Sequence, residues 1–361
     1  MPDKKILFIT GSYDPNLTGG TKTDYKIIER VKSSDRITLS ILTNKILQYE
    51  KKGNIAYNMV YNFKYLSKKN YFKTFDYIII NSRLYTRLFL TIGFIKMLCR
   101  TSKILFIHHH FDFETQYGYK KYIYKTLEMY TLKKADGIII VSPYILDLCK
   151  QMGFTKTLYY LEISFEHRNY QSTTLLTKEF LFVGTVEYRK GVDKIVDAID
   201  LLNRENIFVS VNIIGMYDEN ERYYLSLKKK INEHGLSNQI KFLGRINDEE
   251  LEKKYSSAYA FIFPSRHEGY GMVLVEAMSF GLPVIACDNS AIPYMVHNEK
   301  NGLLVKTDDT TELKNALKRL VNDELLRNRL SSGALEYYKN TRTYDDWNKD
   351  IDEFTNKLID G

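Results

Sequence analysis

The stretch "AFIFPSRHEGYGMVLVEAMSFGLPVIA", residues 260–286, contains a strand, a turn, a helix and the start of a second strand. "AFIF" is an apolar run of strand length, stopped at Pro264. "RHEGYG" is polar and glycine-rich and reads as a loop. "MVLVEAMSF" reads as a helix closed by Gly281, with Pro283 just beyond it, and "PVIA" opens the next strand. Two apolar strands joined through a helix form a parallel crossover unit, buried on both faces.

Two carboxylates punctuate this unit. Glu268 precedes the helix and Glu276 lies inside it, eight residues on. On one continuous helix that spacing would set them about 80° apart, at about 100° per residue. With Glu268 in the loop and the Glu276 side chain leaning toward the helix N-terminus, both can face whatever binds at that end. Gly269 and Gly271 let the backbone take positive φ and approach a ligand closely. The N–H groups of Gly271, Met272 and Val273 have no intrahelical acceptor, and the helix dipole there favours an anion. Amide donors suit a phosphate, and carboxylates accept hydrogen bonds from sugar hydroxyls. A diphosphate between two sugars, as in a nucleotide sugar, fits the pattern. A strand, a glycine turn and a helix are also a common α/β connection, and two solvated surface glutamates stay open as the plainer reading.

The rest of the chain repeats the rhythm. Apolar runs of strand length recur at 6–10, 37–42, 77–80, 104–108 and 137–141, and again at 180–183, 209–214, 240–243, 260–263 and 283–286. Helical patterns separate them, at 21–32 and 117–133 and then at 192–202, 223–234, 248–256 and 272–280. The expectation is α/β: two Rossmann-like, doubly wound parallel-sheet domains facing across a cleft, with ligands at the carboxyl ends of the strands. A chain of 361 residues suits two domains.

Charge divides the chain in the same place. Residues 1–170 hold 27 Lys+Arg against 14 Asp+Glu, net +13, and residues 171–361 hold 25 against 30, net −5. "EHRNYQSTTLLTKEF" (166–180) reads as the linker. The expected domains are 1–170, 171–340 and a C-terminal helix, 341–361, that carries Trp347. Cys99, Cys149 and Cys287 lack metal or disulfide spacing. "MPDKKILFIT" has too short an apolar run for a signal peptide, so a cytoplasmic chain is expected, peripheral at the inner face of the membrane. "GSYDPNLTGG" does not supply G-x-G-x-x-G after the first strand, which argues against a dehydrogenase. In "HHH" (108–110), adjacent side chains of an extended chain alternate in direction, so the three do not chelate one ion, and no metal is expected.

The motif "SRHEGYGMVLVEAMSFGLPVIACD" resembles the E-x7-E signature of retaining glycosyltransferases with the GT-B fold, family 4. "FVGTVEYRKGVDKIVDAI", "IKFLGRINDEELEKKYSSAYAFIFPS" and "NGLLV" are similar to further parts of that family's donor domain; "LTGGTKTDYKII", "ILFIHHHFD" and "ADGIIIVSPYI" match the first half in style. The resemblance covers most of the chain and is strongest over 180–305.

It implies that the second half binds a nucleoside-diphosphate sugar and the first half the acceptor, with the C-terminal helix crossing back to the first domain. Glu276 would hold the ribose hydroxyls, Glu268 the transferred sugar, and Gly271, Met272 and Val273 the diphosphate. Lys190 matches the family's loop lysine. Many relatives carry arginine where this chain has Thr185, and Arg189 is the candidate replacement cation. Gly244 and Arg245 match the loop that meets the base, which is left open among uracil, guanine and adenine, with a UDP-sugar the first choice. Gly19 and Gly20 match the first domain's glycine loop, opening a helix at Thr21. His108 matches a histidine that reaches the transferred sugar, with His109 the alternate. The implied chemistry is metal-independent front-face substitution without a cofactor, building a lipid-linked or polymeric cell-surface glycan. No nucleic-acid partner is expected. A phosphorylase or epimerase of the same fold, and a non-catalytic nucleotide-binding partner of an active transferase, are the alternatives.

Basic and aromatic residues interleave in "YNFKYLSKKNYFKTFDY" (61–77), and Arg83, Arg87, Lys96 and Arg100 flank an apolar stretch. That composition suits an anionic membrane surface, although the four cations do not share one helical face.

Overall fold

The computed structural model describes residues 4–10, 13, 19–43, 72–81, 92–116, 118–167 and 178–361. The chain divides into two compact units: Met1–Phe165 with Arg342–Gly361, and Glu166–Thr341. Residues 61–71, Arg83, Arg87 and most of the linker read at 166–180 lie outside the described residues.

In unit 1 the elements run β1 (Lys4–Thr10), α1 (Gly19–Lys32), β2 (Ile37–Thr43), β3 (Tyr77–Asn81), α2 (Ile92–Leu98), β4 (Lys103–His108), α3 (Tyr119–Lys133), β5 (Gly137–Ile140), α4 (Pro143–Gln151) and β6 (Thr157–Tyr160). The six strands are parallel, in the order β2-β1-β3-β4-β5-β6. The runs "YIII" and "GIII" are buried throughout, as strands covered on both faces must be.

Unit 2 runs β7 (Glu179–Val183), α5 (Val192–Arg204), β8 (Ser210–Ile214), α6 (Arg222–Glu233), β9 (Ile240–Gly244), α7 (Asp248–Ser257), β10 (Ala260–Phe263), α8 (Met272–Ser279), β11 (Val284–Cys287), β12 (Gly302–Val305), α9 (Thr310–Asn322) and α10 (Glu324–Lys339). Its order is β12-β11-β10-β7-β8-β9, again all parallel. Both sheets are doubly wound, the architecture expected from the sequence. The final helix, α11 (Tyr344–Asp360), belongs to unit 1. It starts at a capping box between Thr343 and Asp346, ion-pairs Asp352 with Arg30 of α1, and sets Phe354 against Tyr159 with ring centroids 5.0 Å apart. Trp347 is buried, 2% exposed.

Among the described residues each sheet has six strands, where periodicity alone marked five. The additional ones are short. "TLYY" is an exposed-to-half-buried strand at the sheet edge, with no continuous apolar signal. "GLLV" begins at Gly302, where a Cβ would lie 2.4 Å from the Val284 carbonyl, so the pairing of β11 with β12 depends on a missing side chain.

Candidate active site

A doubly wound sheet binds ligands where its strand order reverses. In unit 2 the reversal falls between β7 and β10, which pair directly. The loop after β7 carries Arg189 and Lys190; the loop after β10 carries Glu268. Topology therefore brings together residues 78 apart in sequence.

Their contact is direct. Lys190 Nζ donates to Glu268 Oε1 at 2.7 Å and also lies 4.9 Å from the Phe263 ring centroid. Arg189 Nη1 donates to the same Oε1 at 3.1 Å and to the His267 carbonyl at 2.7 Å, while Nη2 reaches Glu187 at 2.6 Å. Ser265 Oγ lies 2.5 Å from Glu268 Oε1. The Glu268 amide donates to Ser290 Oγ at 2.9 Å. Glu268 is buried, its side chain 9% exposed. Burial works to raise its carboxyl, but the Lys190 and Arg189 charges and the bonds from Lys190 and Ser265 hold it down at about 2. Burial lowers the Lys190 ammonium from its usual value, and the Glu268 charge offsets part of that.

The two loops are locked by backbone. Lys190 ends a 3-10 turn, Tyr188–Lys190, and Gly191 follows with φ 71°. A Cβ on Gly191 would stand 2.0 Å from the Pro264 carbonyl, so only glycine admits this approach. The Arg266 amide donates to the Arg189 carbonyl at 2.7 Å.

Helix α8 begins next to Glu268. Gly271 is its N-cap at φ 96°, and Met272 and Val273 form the first turn, so backbone N–H groups are presented at that end. Glu276 lies one turn into α8 and is half-buried; Tyr255 Oη donates to its Oε2 at 3.4 Å. Burial, reinforced by the Glu276 charge, pushes the Tyr255 hydroxyl well above its usual range, so it stays a donor.

Three glycines line the carboxyl ends of adjacent strands. Gly184 donates to the Ile214 carbonyl at 2.8 Å, and Gly215 to the Gly244 carbonyl at 2.9 Å. A Cβ on Gly215, at φ 142°, would meet the Gly184 carbonyl at 2.0 Å. Gly244, at φ 67°, ends β9. Thr185 and Arg245 beside them are exposed.

Unit 1 presents a second cluster at its own reversal point, between β1 and β3. Asp24 of α1 is buried, 1% exposed. It accepts from Asn81 at the end of β3 and from Thr10 Oγ1 at the end of β1, the latter at 3.4 Å. His109 Nε2, just past β4, lies 2.7 Å from Asp24 Oδ1. The Asp24 carboxylate thereby fixes the orientation of the His109 ring. His108, placed first from the sequence, is 0% exposed; its ring packs edge-on to Phe111 with centroids 4.1 Å apart, and burial pushes its imidazole well below the usual range. The partly exposed histidines are the next two, His109 and His110, because β4 is buried on both faces through His108 and ends there. Helix α1 begins at Gly19, so Gly19 and Gly20 form its first turn rather than a loop before Thr21.

Asp24, Asn81, Ser265 and Gly215 escaped the sequence reading. A polar residue closing an apolar strand, as in "YIIIN", is the signal that points to Asn81. Asp24 gives no such signal, since one acid in an amphipathic helix reads as surface. Among the described residues no group of three or more His, Cys, Asp or Glu is placed to hold a metal ion.

Residues 166–337, nearly all of unit 2, match the model of the family Glycosyl transferases group 1. An uncharacterized glycosyltransferase of Methanocaldococcus jannaschii is 33% identical over 159 residues, 44% of this chain and 42% of that protein. The phosphatidyl-myo-inositol mannosyltransferase of Mycobacterium leprae is 33% identical over 163 residues, 45% of this chain and 42% of its own length. The chain thus spans less than half the length of these curated relatives. The crystal structure of HepE of Anabaena in complex with UDP and glucose matches with a TM-score of 0.75, at 18% identity, over 98% of this chain and 100% of that one. At that identity the likeness is one of fold, and the fold is GT-B.

Proposed function

We propose, from the group 1 glycosyltransferase domain in unit 2, that this chain is a retaining glycosyltransferase of family 4. It would move a sugar from a nucleoside-diphosphate sugar to a hydroxyl of a lipid-linked or polymeric glycan. The observation that carries the reading is the convergence of Lys190, Arg189 and Glu268 at the β7/β10 reversal, beside the N-terminus of α8.

The chemistry follows from charge. When the bond between the anomeric carbon and the β-phosphate oxygen breaks, negative charge collects on the phosphate and positive charge on the sugar. Lys190 and Arg189 are fixed cations for the first, and the α8 amides add to them. Glu268, ionised at any working pH, accepts from a sugar hydroxyl and stabilises the second. The acceptor oxygen bonds to the anomeric carbon on the face the phosphate leaves, and its proton passes to the departing phosphate. Lys190 and Arg189 supply the charge a divalent metal otherwise brings, which makes the transfer metal-independent. Glu276 holds the ribose, and the glycine-lined ends of β7, β8 and β9 leave room for the base.

Unit 1 would bind the acceptor and contribute His109, oriented by Asp24, to the transfer step. The solved HepE structure, with UDP and glucose, supports a UDP-sugar as donor. The name of the Mycobacterium leprae relative supports a lipid acceptor. Such an acceptor is met at an anionic membrane surface, on its cytoplasmic side.

A thermal-shift panel of UDP, GDP and ADP identifies the base: a ligand at 100 times its dissociation constant stabilises by about 2.7 kcal/mol. Proton NMR of the products from the matching donor then reads the anomeric configuration. Retention with full activity in EDTA is the expected result; inversion, or loss of activity on chelation, sinks the corresponding part of the reading.

A further inference from the structure

Arg266 stands just ahead of Glu268 in the loop after β10, yet the chemistry assigned to the site makes no use of it. Its side chain is only 4% exposed, and every nitrogen of the guanidinium is engaged. Nη2 and Nη1 take the Asp193 carboxylate as a fork, at 2.7 and 3.0 Å. Nε donates to Asp308 Oδ1 at 2.7 Å, and Nη1 also donates to the Tyr188 carbonyl. The guanidinium carbon lies over the Tyr188 ring, 3.9 Å from its centroid. The Arg266 amide, for its part, donates to the Arg189 carbonyl at 2.7 Å.

These partners belong to separate segments of unit 2. Tyr188 follows β7, Asp193 is in the first turn of α5, and Asp308 lies between β12 and α9. The two carboxylates balance the Arg266 charge, and Asp193 is itself fixed, since its Oδ1 accepts from Tyr223 of α6 at 2.6 Å. The other contacts of Arg266 fall on one piece of backbone. Tyr188 and Arg189 are the first two residues of the 3-10 turn that ends at Lys190. So short a turn has little stability of its own. Here the carbonyls of both residues are held from the β10 loop, with Ser265 Oγ adding a 3.2 Å contact to the second. From this turn the Arg189 and Lys190 side chains reach Glu268 Oε1.

We propose that Arg266 is a positioning residue, which sets the turn so that Arg189 and Lys190 meet the donor diphosphate, and does not itself touch the substrate. The inference rests on the proposed function for the role of the two cations and adds the part that holds them. An ordinary brace between loops would also be buried and ion-paired. What distinguishes Arg266 is that its side chain and its amide grip the carbonyls of the residues leading into Lys190. Lysine cannot replace it, because a single ammonium has no planar fork to take Asp193, Asp308 and the Tyr188 carbonyl together.

The test is a double-mutant cycle on the full chain, read by calorimetry as affinity for whichever of UDP, GDP and ADP binds best. Arg266→Lys keeps a positive charge beside Asp193 and Asp308 and should weaken binding about tenfold in the parent. In a chain already carrying Arg189→Ala and Lys190→Ala the same change should cost less than about twofold, because the groups it positions are gone. Equal losses in both backgrounds mean a purely structural brace and overturn the proposal, as does an unchanged affinity for Arg266→Lys in the parent. Tyr188→Leu removes the stacked ring from a side chain that is 53% exposed, so its fold does not depend on that ring. It should weaken binding by about threefold, again only where the two cations are present, and it decides the matter if Arg266→Lys does not fold. A parent chain that binds none of the three nucleotides overturns the proposed function and this inference with it. A parent that binds, with equal losses in both backgrounds, overturns this inference alone.

Discussion

Lys190 Nζ and Glu268 Oε1 stand 2.7 Å apart, though one follows the first strand of unit 2 and the other the fourth. The doubly wound strand order makes β7 and β10 neighbours, and the loops leaving them meet over their carboxyl ends.

If Lys190 stabilises the leaving diphosphate, Lys190→Ala lowers kcat by about 10² or more. Arg189, sharing the same carboxylate oxygen, lowers kcat by a comparable factor when replaced with Ala. Steady-state kinetics on both variants decides whether the loop supplies two cations: a silent Arg189→Ala leaves Lys190 alone in the role.

Glu268 makes the site acid-sensitive in a defined direction. Its carboxyl is held at about 2, below the usual glutamate value of about 4.3. A depressed folded-state pKa adds stability that is complete above the unfolded value and is lost as pH falls toward the folded one. Glu268→Gln should therefore be destabilised most at neutral pH, and its gap from the parent should shrink as pH falls from about 5 toward 3. Urea unfolding at a series of pH values reads this; a gap independent of pH rejects the assignment.

Removing the Glu276 carboxylate, as Glu276→Ala, should weaken nucleoside-diphosphate binding by about tenfold or more, since hydrogen bonds to a charged acceptor are worth roughly 1.5–3 kcal/mol. Tyr255→Phe deletes a 3.4 Å bond to the same group and should cost less. Calorimetry with the preferred nucleotide measures both, and unchanged affinity in Glu276→Ala would remove that residue from the donor site.

His109→Ala should impair transfer while leaving nucleotide binding intact, because it belongs to unit 1. Asp24→Asn should reproduce much of the loss in kcat by releasing the ring. His108→Ala should act on stability instead, by roughly 2–3 kcal/mol, as a fully buried side chain replaced by a smaller one. Melting temperatures and transfer rates together separate these; an inactive, fully stable His108→Ala would return the role to the earlier histidine.

Much of this was legible without coordinates. Runs such as "YIII" and "AFIF" suit strands covered on both sides, and the helical stretches between them require parallel crossovers, so two doubly wound sheets could be read from the pattern alone. It also marked Glu268, Glu276, Gly271 and the Arg189–Lys190 pair, because loop glycines and cations ahead of a helix have few other reasons to occur together. What it left undetermined depends on distance in space. Whether Lys190 and Arg189 meet Glu268 is decided by which strands are neighbours, and strand order is not written in periodicity. Whether His108 or His109 can be reached turns on where β4 ends, since both faces of that strand are covered. Asp24 became visible only when the ends of β1, β3 and β4 closed around it.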